Sequence, residues 1–395
     1  MNILFITHKM PYPPDKGEKI RAFNIIKHLS QNHKVFLYSL SDNKNDLYYI
    51  EKLNEYCASV NVYNICSFFS NLRAAMYLLT RYPFTFAYFF SYRMKKDIKK
   101  ACKDKFFDMV FTYCSSSAQY VMGDESLIKC VDFMDIDSDK WKSYARKTKF
   151  PFSLIYTIES KRLARWEKKI NETFDISIVT TEKEKERFIT IDPVHATKII
   201  VIKNGVDFNY FEYHSAKGRD LSLIFSGQMD YLPNIDAVIY FYSKILPFIR
   251  KQVPNVSFYI VGRKPTATVR RICKKAIVTG YVKDIRNYLA KAAVCVVSIR
   301  ISHGVQNKIL EAMASGLPVV VTSEALEGID AIPGKEIMVG NTPEEFALVV
   351  TELLQNVQKR ELISKNAQEY VKRYHNWKIN LSKLDIIFND FVNMQ

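Results

Sequence analysis

The chain of 395 residues is long enough for two or three domains. With 48% hydrophobic and 25% charged residues, it excludes extended disorder, a collagen-like chain and a disulfide scaffold. Its 57 Lys and Arg outnumber 41 Asp and Glu, and the net charge of +16 favours anionic partners, whether nucleic acid, acidic lipid or phosphorylated ligands. Seven scattered cysteines without a C-x-x-C pair fit a reducing compartment and argue against a zinc site.

The first half alternates short apolar runs with helical patterns. The predicted strands are Asn2–Thr7, Lys34–Leu40, Met109–Thr112, Lys129–Phe133, Ile176–Thr180 and Lys198–Ile202. The predicted helices follow a turn cluster at 11–17, cover 154–173, and begin at Glu182. No basic leader precedes the first strand, and no window reaches the roughly 18 apolar residues of a membrane-spanning helix, so we expect neither a signal peptide nor a span.

The second half repeats this alternation after a turn-rich link at 203–213. Its predicted strands are Leu221–Ser226, Val256–Val261, Ala276–Thr279, Val294–Ile299 and Leu317–Thr322. Its predicted helices are Asn234–Lys251 with Asn234 as the cap, Thr268–Lys275, Ile285–Lys291, Gln306–Ser315, Pro343–Gln355, Lys359–Tyr374 and Trp377–Val392. The chain is therefore predicted to be α/β, with two doubly wound parallel sheets and a cleft between them where ligands meet the carboxyl ends of the strands.

The segment Arg300–Val320 carries the most chemistry. It contains a strand end, a glycine in a loop, and a helix whose N-terminal N–H groups suit a phosphate. Lys308 and Glu311 are three residues apart and share a helix face, so the cation suits a diphosphate and the carboxylate suits sugar hydroxyls. An ordinary surface ion pair explains the spacing equally well.

The run LEAMASGLPVVVT, which ends at Thr322, resembles the signature of glycosyltransferase group 1, also called family 4. Further similarities are NGVD at 204–207, SG at 226–227, YIVG at 259–262, TGYVKD at 279–284, and the N-terminal MPYPPDKGEKIRAFNIIKHL. VDFMDIDSDKW at 131–141 and LARWEKKINETFDISIVTTE at 163–182 resemble the sugar transferases of polysaccharide export systems.

The resemblance implies a GT-B fold of two Rossmann-like domains. It places an acceptor-binding domain at 1–203 and a donor-binding domain at 204–375, with the helix at 376–395 returning to the N-terminal domain. It also implies transfer with retention, in which the leaving diphosphate takes the acceptor proton and no protein base is needed. No metal or other cofactor is expected.

On the donor side, the resemblance implies that Glu311 binds the ribose. The family's other glutamate is replaced by His303, which would reach the transferred sugar. The family's phosphate-binding Arg and Lys are missing, since Gln228 follows Gly227, and Lys308 and Arg300 are the candidate replacements. We predict His303, Lys308 and Glu311 as catalytic. The predicted donor-binding residues are Gly227, Gln228, Arg263, Tyr281, Val282, Arg300, Gly304, Gln306, Asn307 and Glu311.

On the acceptor side, the resemblance places Gly17 in a loop that faces the donor phosphates and the acceptor, flanked by Lys16 and Arg21. His8 ends the first strand near this loop. Asp135 or Asp137 is expected to orient the acceptor hydroxyl, although helix caps and loop carboxylates explain these residues as well.

Residues 71–105 carry nine Lys and Arg against two Asp, interleaved with aromatic residues. This composition suits an anionic membrane surface, a single-stranded nucleic acid, or a pair of core helices with solvated lysines. Because the family uses lipid-linked acceptors, we favour the membrane and expect no nucleic acid.

These observations predict a retaining hexosyltransferase that uses a nucleotide-sugar, with UDP as the default base and GDP as the rival. Its acceptor would be a glycan or a lipid-linked acceptor of bacterial surface polysaccharide biosynthesis. The protein would lie in the cytoplasm, on the inner face of the membrane. The alternatives are a non-catalytic GT-B protein that acts as a membrane or assembly partner, and a nucleotide-sugar epimerase of the same fold.

Overall fold

The computed structural model describes residues 1–103, 106–124, 127–212, 219–301 and 304–393. The chain forms two compact units. The first contains residues 1–202 together with the C-terminal segment from Lys383, and the second contains Lys203–Ser382. Within the described ranges, no helix combines the length and apolar character that crossing a bilayer requires.

The first unit is built on a seven-stranded sheet in which every neighbouring pair is parallel. The strand order is β3-β2-β1-β4-β5-β6-β7. The central strands are apolar and buried because helices cover both faces of such a sheet. The strands are β1 Asn2–Thr7, β2 Lys34–Ser41, β3 Ser59–Asn64, β4 Met109–Tyr113, β5 Ile128–Met134, β6 Ile176–Val179 and β7 Ile199–Val201.

Eight α-helices connect these strands. They are α1 Gly17–Leu29, α2 Ile50–Asn54, α3 Ser67–Met76, α4 Phe84–Tyr88, α5 Tyr92–Lys103, α6 Asp137–Lys147, α7 Phe152–Thr173 and α8 Glu182–Ile191. Short 3-10 turns occupy Lys44–Tyr49, Tyr77–Leu79, Ser115–Tyr120 and Ala196–Lys198. Within the segment 71–105, α5 buries Met94, Ile98 and Cys102, whereas Leu72, Met76 and Leu79 before it are exposed. The core-helix interpretation therefore describes α5 itself.

The second unit holds a six-stranded parallel sheet in the order β10-β9-β8-β11-β12-β13. Its strands are β8 Ser222–Ser226, β9 Ser257–Val261, β10 Ile277–Gly280, β11 Val294–Val297, β12 Val319–Val321 and β13 Met338–Val339. Its helices are α9 Leu232–Tyr240, α10 Leu246–Gln252, α11 Ala267–Ile272, α12 Arg286–Lys291, α13 Asn307–Ala314, α14 Pro343–Gln355 and α15 Val357–Tyr374. A π-helical turn at Phe241–Ile245 joins α9 to α10.

The last helix, α16 (Trp377–Asn393), is shared between the units. Up to Ser382 it groups with the second unit, and from Lys383 it groups with the first. There the imidazole Nε2 of His28, on α1, lies 3.0 Å from the Asp385 carboxylate.

The predicted fold class, with two Rossmann-like parallel-sheet units, is confirmed. Two strands were missed: β3 lies at the edge of its sheet and is nowhere fully buried, and β13 has two residues, so neither has a strong apolar run. The predicted cap at Asn234 is wrong, because α9 begins at Leu232 and Asn234 lies inside its first turn.

A buried ion pair ties α1 to the sheet of the first unit. Arg21 is one of the largest fully buried side chains, and its Nε donates to Asp132 Oδ2 at 2.9 Å. Asp132, on β5, is completely buried and also accepts from the backbone N–H of Met134. Each charge is stable in the core only because the other is present.

We expect Arg21→Ala to destabilise the protein by about 3–5 kcal/mol, because it leaves the Asp132 carboxylate buried without its cation. The matched control is Lys27→Ala on the exposed face of the same helix, which should change the free energy of unfolding by about 0.5 kcal/mol or less. Chemical denaturation measures both. Equal stability of the two variants would contradict this role of Arg21.

Candidate functional site

Each sheet has one point at which its strand order reverses, and open parallel sheets bind ligands at that point. In the second unit the reversal lies between β8 and β11, and in the first unit it lies between β1 and β4. The loops after these strands carry most of the predicted site residues. The two places are described in turn as the second-unit site and the first-unit site.

The second-unit site begins with two glycines after β8 and β9. Gly227 and Gly262 have φ of +151° and +155°, which side chains rarely adopt. A Cβ on Gly262 would come 1.7 Å from the Gly227 carbonyl oxygen, so the two backbones meet only because both residues are glycines. A Cβ on Gly227 would come 2.9 Å from the Lys308 Nζ. The backbone of Gly227 and the ammonium group of Lys308 therefore lie close together at the end of β8.

Lys308 lies in the first turn of α13, after β11. Its Nζ donates to Asn234 Oδ1 at 2.5 Å and lies 4.3 Å from the centroid of the Phe225 ring. Asn234 Nδ2 in turn donates to the Gln228 carbonyl at 2.8 Å. Lys308 thus joins the loop after β8 to the N-terminus of α13. Among the described residues, no carboxylate lies at salt-bridge distance from it.

This setting shifts the pKa values of both Lys308 and Glu311. Burial lowers the pKa of Lys308 to about 7, against the smaller raising effects of Cys295 and Glu311. Burial raises the pKa of Glu311 to about 7, and Lys308 only partly opposes this. Lys308 and Glu311 therefore each lie in surroundings that disfavour their charged form. An anionic ligand next to Lys308 would raise the pKa of the ammonium and favour its protonated form.

The other predicted donor residues are spread around this centre. Arg300 is bound to Asp236 through its Nε at 3.0 Å, and it stacks on the Tyr240 ring at 4.2 Å. Arg300 therefore meets a carboxylate of α9, whereas the α9 residue that Lys308 meets is the neutral Asn234. Arg263 lies 5.0 Å from the ring centroid of the exposed Tyr281, which makes an aromatic and cationic pair after β9 and β10.

The remaining predicted donor residues include polar loop groups and a core residue. Asn307 accepts a hydrogen bond from Asn204 at 3.4 Å, and Gln306 is the N-cap residue of α13. Gly304 is buried in the preceding loop, and Val282 packs against the core. His303 lies outside the described residues.

The first-unit site is a polar cluster at the ends of β1, β4 and β5. His8 ends β1 with its Nε2 3.7 Å from Glu18 Oε2, and Lys9 donates to the other Glu18 oxygen at 2.9 Å. Burial alone would raise the pKa of Glu18, but His8 and Lys9 outweigh it and hold that pKa well below its usual range. Glu18 is therefore a paired carboxylate that is already occupied.

Asp135 and Asp137 differ although they are two residues apart. Asp137 accepts from Ser115 Oγ and from Lys140 Nζ, each at 2.7 Å, and these partners lower its pKa against the effect of burial. Asp135 has no side-chain hydrogen bond within the described part of the chain. Burial raises its pKa to about 6, with Lys140 opposing. Of the two predicted candidates, Asp135 is the one whose oxygens remain open to a ligand.

Gly17 and Arg21 lie elsewhere than predicted, whereas Lys16 flanks Gly17 as expected. Gly17 is the first residue of α1 and not a loop residue, and Lys16 is the exposed N-cap residue before it. Arg21 is in the core with Asp132, as described above, so its guanidinium has no access to a ligand. The physical reason is the early start of α1, which turns Arg21 towards the sheet.

Sequence reasoning missed Asn234, Glu18 and Lys140 as members of these sites. For Lys140 a signal existed, because it follows Asp137 by three residues on a helix. Asn234 is 74 residues from Lys308, and no local pattern could have joined them.

One grouping among the described residues has the spacing of a metal site, formed by Glu172, Asp192 and His195. It lies at the C-terminal end of α7 and belongs to neither site. Its Asp192 already accepts from Asn171 Nδ2 at 2.7 Å and lies 3.0 Å from His195 Nδ1.

Residues 220–356 match the family model described as "Glycosyl transferases group 1". This match contains the whole second-unit site, from the Gly227 loop to Glu311. It covers about a third of the chain.

Solved structures with a similar fold cover nearly the whole chain. Sucrose-phosphate synthase from Thermosynechococcus elongatus has a TM-score of 0.74 at 16% identity, over 100% of both chains. HepE from Anabaena, in complex with UDP-glucose, has a TM-score of 0.69 at 14% identity, over 99% of this chain and 100% of the other. TarM from S. aureus, in complex with UDP and α-GlcNAc-glycerol, has a TM-score of 0.67 at 12% identity, over 98% and 99%. These likenesses show the fold.

The shifted pKa values predict opposite pH dependences for two variants. The unfolded chain keeps Lys308 protonated up to about pH 10, whereas the folded state loses this proton near pH 7, so Lys308 makes folding more stable as pH rises between them. Lys308→Met should remove this rise, which is roughly 2 kcal/mol between pH 7 and pH 9, and should gain relative stability at pH 7.

Glu311→Gln should act with the opposite sign. The folded state keeps Glu311 protonated up to about pH 7, whereas the unfolded chain loses this proton near pH 4, so its contribution falls as pH rises between them. The stability of the Glu311→Gln variant should not show this decrease with rising pH. Chemical denaturation from pH 4 to pH 9 measures the free energy of unfolding. If the free energy of unfolding of both variants changes with pH as it does in the wild type, the described environments of Lys308 and Glu311 are wrong.

Proposed function

We propose that this protein is a retaining glycosyltransferase that moves a hexose-type sugar from a UDP-sugar to a hydroxyl of a glycan or lipid-linked acceptor. The observation that carries the proposal is Lys308, held against Gly227 and Asn234 at the strand reversal of the second unit, inside the segment that matches the family model. A partly buried ammonium that meets no carboxylate among the described residues is suited to bind an anion, and a diphosphate is the anion that this fold binds at such a place.

On the donor side we assign the diphosphate to Lys308 and to the N–H groups of the first turn of α13. Glu311 binds the ribose hydroxyls as a carboxylate acceptor one turn further along the same helix face. Tyr281 and Arg263 supply a stacking and cationic surface for the base. By resemblance to the family, we assign His303 to the transferred sugar and Gln228 to the loop that faces the diphosphate. UDP is supported by HepE and TarM, whose structures contain it.

On the acceptor side we assign the hydroxyl to Asp135. Its carboxylate is the open one in the first-unit site, and the neighbouring Asp137 and Glu18 are held by Lys140 and Lys9. Asp135 accepts a hydrogen bond from the attacking hydroxyl and orients it. His8 and the α1 N-terminus at Lys16 and Gly17 border the same place. Retention follows from front-face attack, in which the departing diphosphate takes the proton, and neither a metal nor another cofactor has a part.

The acceptor class follows from resemblance to sugar transferases of polysaccharide export and from the basic composition of 71–105. We place the protein in the cytoplasm at the inner face of the membrane, where lipid-linked acceptors of bacterial surface polysaccharides lie. The replacement of the usual phosphate-binding Arg by Gln228 favours one second candidate, a non-catalytic protein of the same fold.

A thermal-shift panel of UDP-, GDP-, ADP-, CMP- and dTDP-sugars with their free nucleotides tests the proposal. We expect stabilisation by the UDP series, because a ligand of the folded state raises the midpoint. Glu311→Ala should lose most of this shift and at least about 100-fold in transfer rate, through loss of the ribose contact. Glu369→Ala, an exposed carboxylate on α15, is the control and should behave as wild type. Stabilisation without sugar release would identify the non-catalytic protein.

Nucleotide binding should be coupled to proton uptake at pH 8. Lys308 is mostly neutral there before binding, and a diphosphate beside it favours the charged form, so close to one proton is taken from the buffer. Calorimetry in buffers of different ionisation enthalpy measures this number with UDP. The Lys308→Met variant should bind weakly and without uptake. Unchanged affinity and uptake in that variant would place the diphosphate elsewhere.

A further inference from the structure

Helix α3 and the 3-10 turn that follows it, residues 67–79, present apolar side chains outwards. The exposed fractions of the five large ones run from 54% to 96%. They are Phe68, Phe69, Leu72, Met76 and Leu79. At about 100° per residue, these five positions and Ala75 fall within an arc of roughly 120°. The helix therefore has one continuous apolar face, which we name the α3 face.

The polar side of α3 is the one that packs on the protein. Ser70 is the one fully buried residue among those of the helix. The Arg73 guanidinium donates to the carbonyl oxygens of Ala87, Tyr88 and Phe90, at 2.5, 3.1 and 2.7 Å. Hydrogen bonds hold the helix while its apolar face stays outside, which inverts the arrangement of an ordinary surface helix.

The anchoring extends to the turn. Arg162, on α7, donates to the carbonyl oxygen of Leu78 at 2.7 Å, directly before the exposed Leu79. Two arginine side chains therefore hold the α3 face in place, Arg73 from within the helix and Arg162 at the turn that follows it. A fixed apolar face needs no refolding to meet a partner.

The stretch of sequence that contains the α3 face carries charge of one sign. No Asp or Glu occurs between Glu55 and Asp97. Arg81 is exposed directly after the turn. Arg73 contacts the Phe90 carbonyl, two residues before the lysine-rich α5, whose Lys96, Lys99 and Lys100 are exposed. An apolar face bordered by cations, with no carboxylate in the segment, matches a bilayer with anionic headgroups.

A second copy of the chain matches less well. Two α3 faces brought together would set arginines and lysines against each other, and the segment offers no carboxylate to pair them. Lipid supplies both parts at once, with acyl chains for the phenylalanines and phosphate for the cations.

We propose that the α3 face inserts into the headgroup and acyl boundary of an anionic membrane, with the α5 lysines as its electrostatic complement. This deepens the membrane partner of the proposed function but stands on its own geometry. The membrane contact was predicted over the whole of 71–105, and its apolar part is here assigned to residues 68–79. The reason is that the aromatic residues of α4 pack inwards, with Phe84 against Trp141 and Phe86 against Trp166.

Co-sedimentation of the full chain with vesicles tests this. Vesicles of phosphatidylcholine mixed with phosphatidylglycerol should bind the wild type. The variant Phe68→Ser/Leu72→Ser/Met76→Ser should lose about tenfold or more in partition coefficient. These side chains are exposed, so the variant keeps its fold, which circular dichroism checks. The control Leu348→Ser/Leu362→Ser removes exposed leucines from the second unit and should bind as wild type.

A charge variant separates the two contributions. Lys96→Gln/Lys99→Gln/Lys100→Gln should lose the preference for phosphatidylglycerol over phosphatidylcholine alone. Lys95 is left unchanged because its Nζ is held by the Gln119 carbonyl at 2.7 Å. Equal vesicle binding by the wild type and the α3 variant overturns the proposal. So does a wild-type dimer that the α3 variant converts to monomer in light scattering, since the face would then join two copies.

The same preparations separate this inference from the proposed function. If the wild type binds vesicles but shows no thermal shift with any nucleotide, the membrane role of the α3 face is supported and the proposed transferase function is wrong. A UDP shift that is equal in the wild type and the α3 variant, together with vesicle binding lost in the variant alone, supports both.

Discussion

Burial on both faces of a parallel sheet is the constraint on which the rest of this structure depends. Strands such as β1 and β4 are covered by helices on each side, so their side chains pack and cannot meet a ligand. Polar chemistry is therefore restricted to the ends of the strands. Where the strand order reverses, two neighbouring loops diverge and leave room, and the clusters around Lys308 and Glu18 lie at these two points.

Arg21 and Lys308 show how the partner of a cation decides its charge. Arg21 meets the Asp132 carboxylate, and that pair is closed and structural. Lys308 meets a neutral amide and an aromatic ring, which compensate an ammonium only in part, and its pKa falls as a result. A structural lysine in the same place would be expected to have a carboxylate beside it. Within the described part of the chain Lys308 has no such partner, and this is what supports its proposed role in binding an anion.

The same comparison orders the carboxylates of the first unit. Glu18 and Asp137 have lysine partners and lowered pKa values, whereas Asp135 has neither. Pairing fixes the first two as the frame of the cluster and leaves the third for a ligand.

Much of this could be predicted from the sequence, and the limits are physical. The strands follow from apolar runs, and the shared face of Lys308 and Glu311 follows from a spacing of three on a helix. The partner of Lys308 could not be predicted, because Asn234 comes from another helix. The sequence pattern around Asn234 indicates a helix cap and gives no sign of a partner in α13. The burial of Arg21 depends on Asp132, which is 111 residues away. The direction of the α3 face was equally hidden, since an apolar stripe ordinarily points inwards and here Arg73 reverses it.

That reversal has a consequence for the first unit as a whole. The first unit has charged groups inside, at the ends of its strands, and apolar groups outside, on α3. A water-soluble acceptor would contact only the polar cluster. The exposed phenylalanines of α3 would then lower the solubility of the protein and have no role in binding. An acceptor with a lipid tail has a polar hydroxyl and an apolar chain, and it remains in the bilayer that the α3 face would contact. The exposed apolar face therefore supports the lipid-linked acceptor of the proposed function over a water-soluble one.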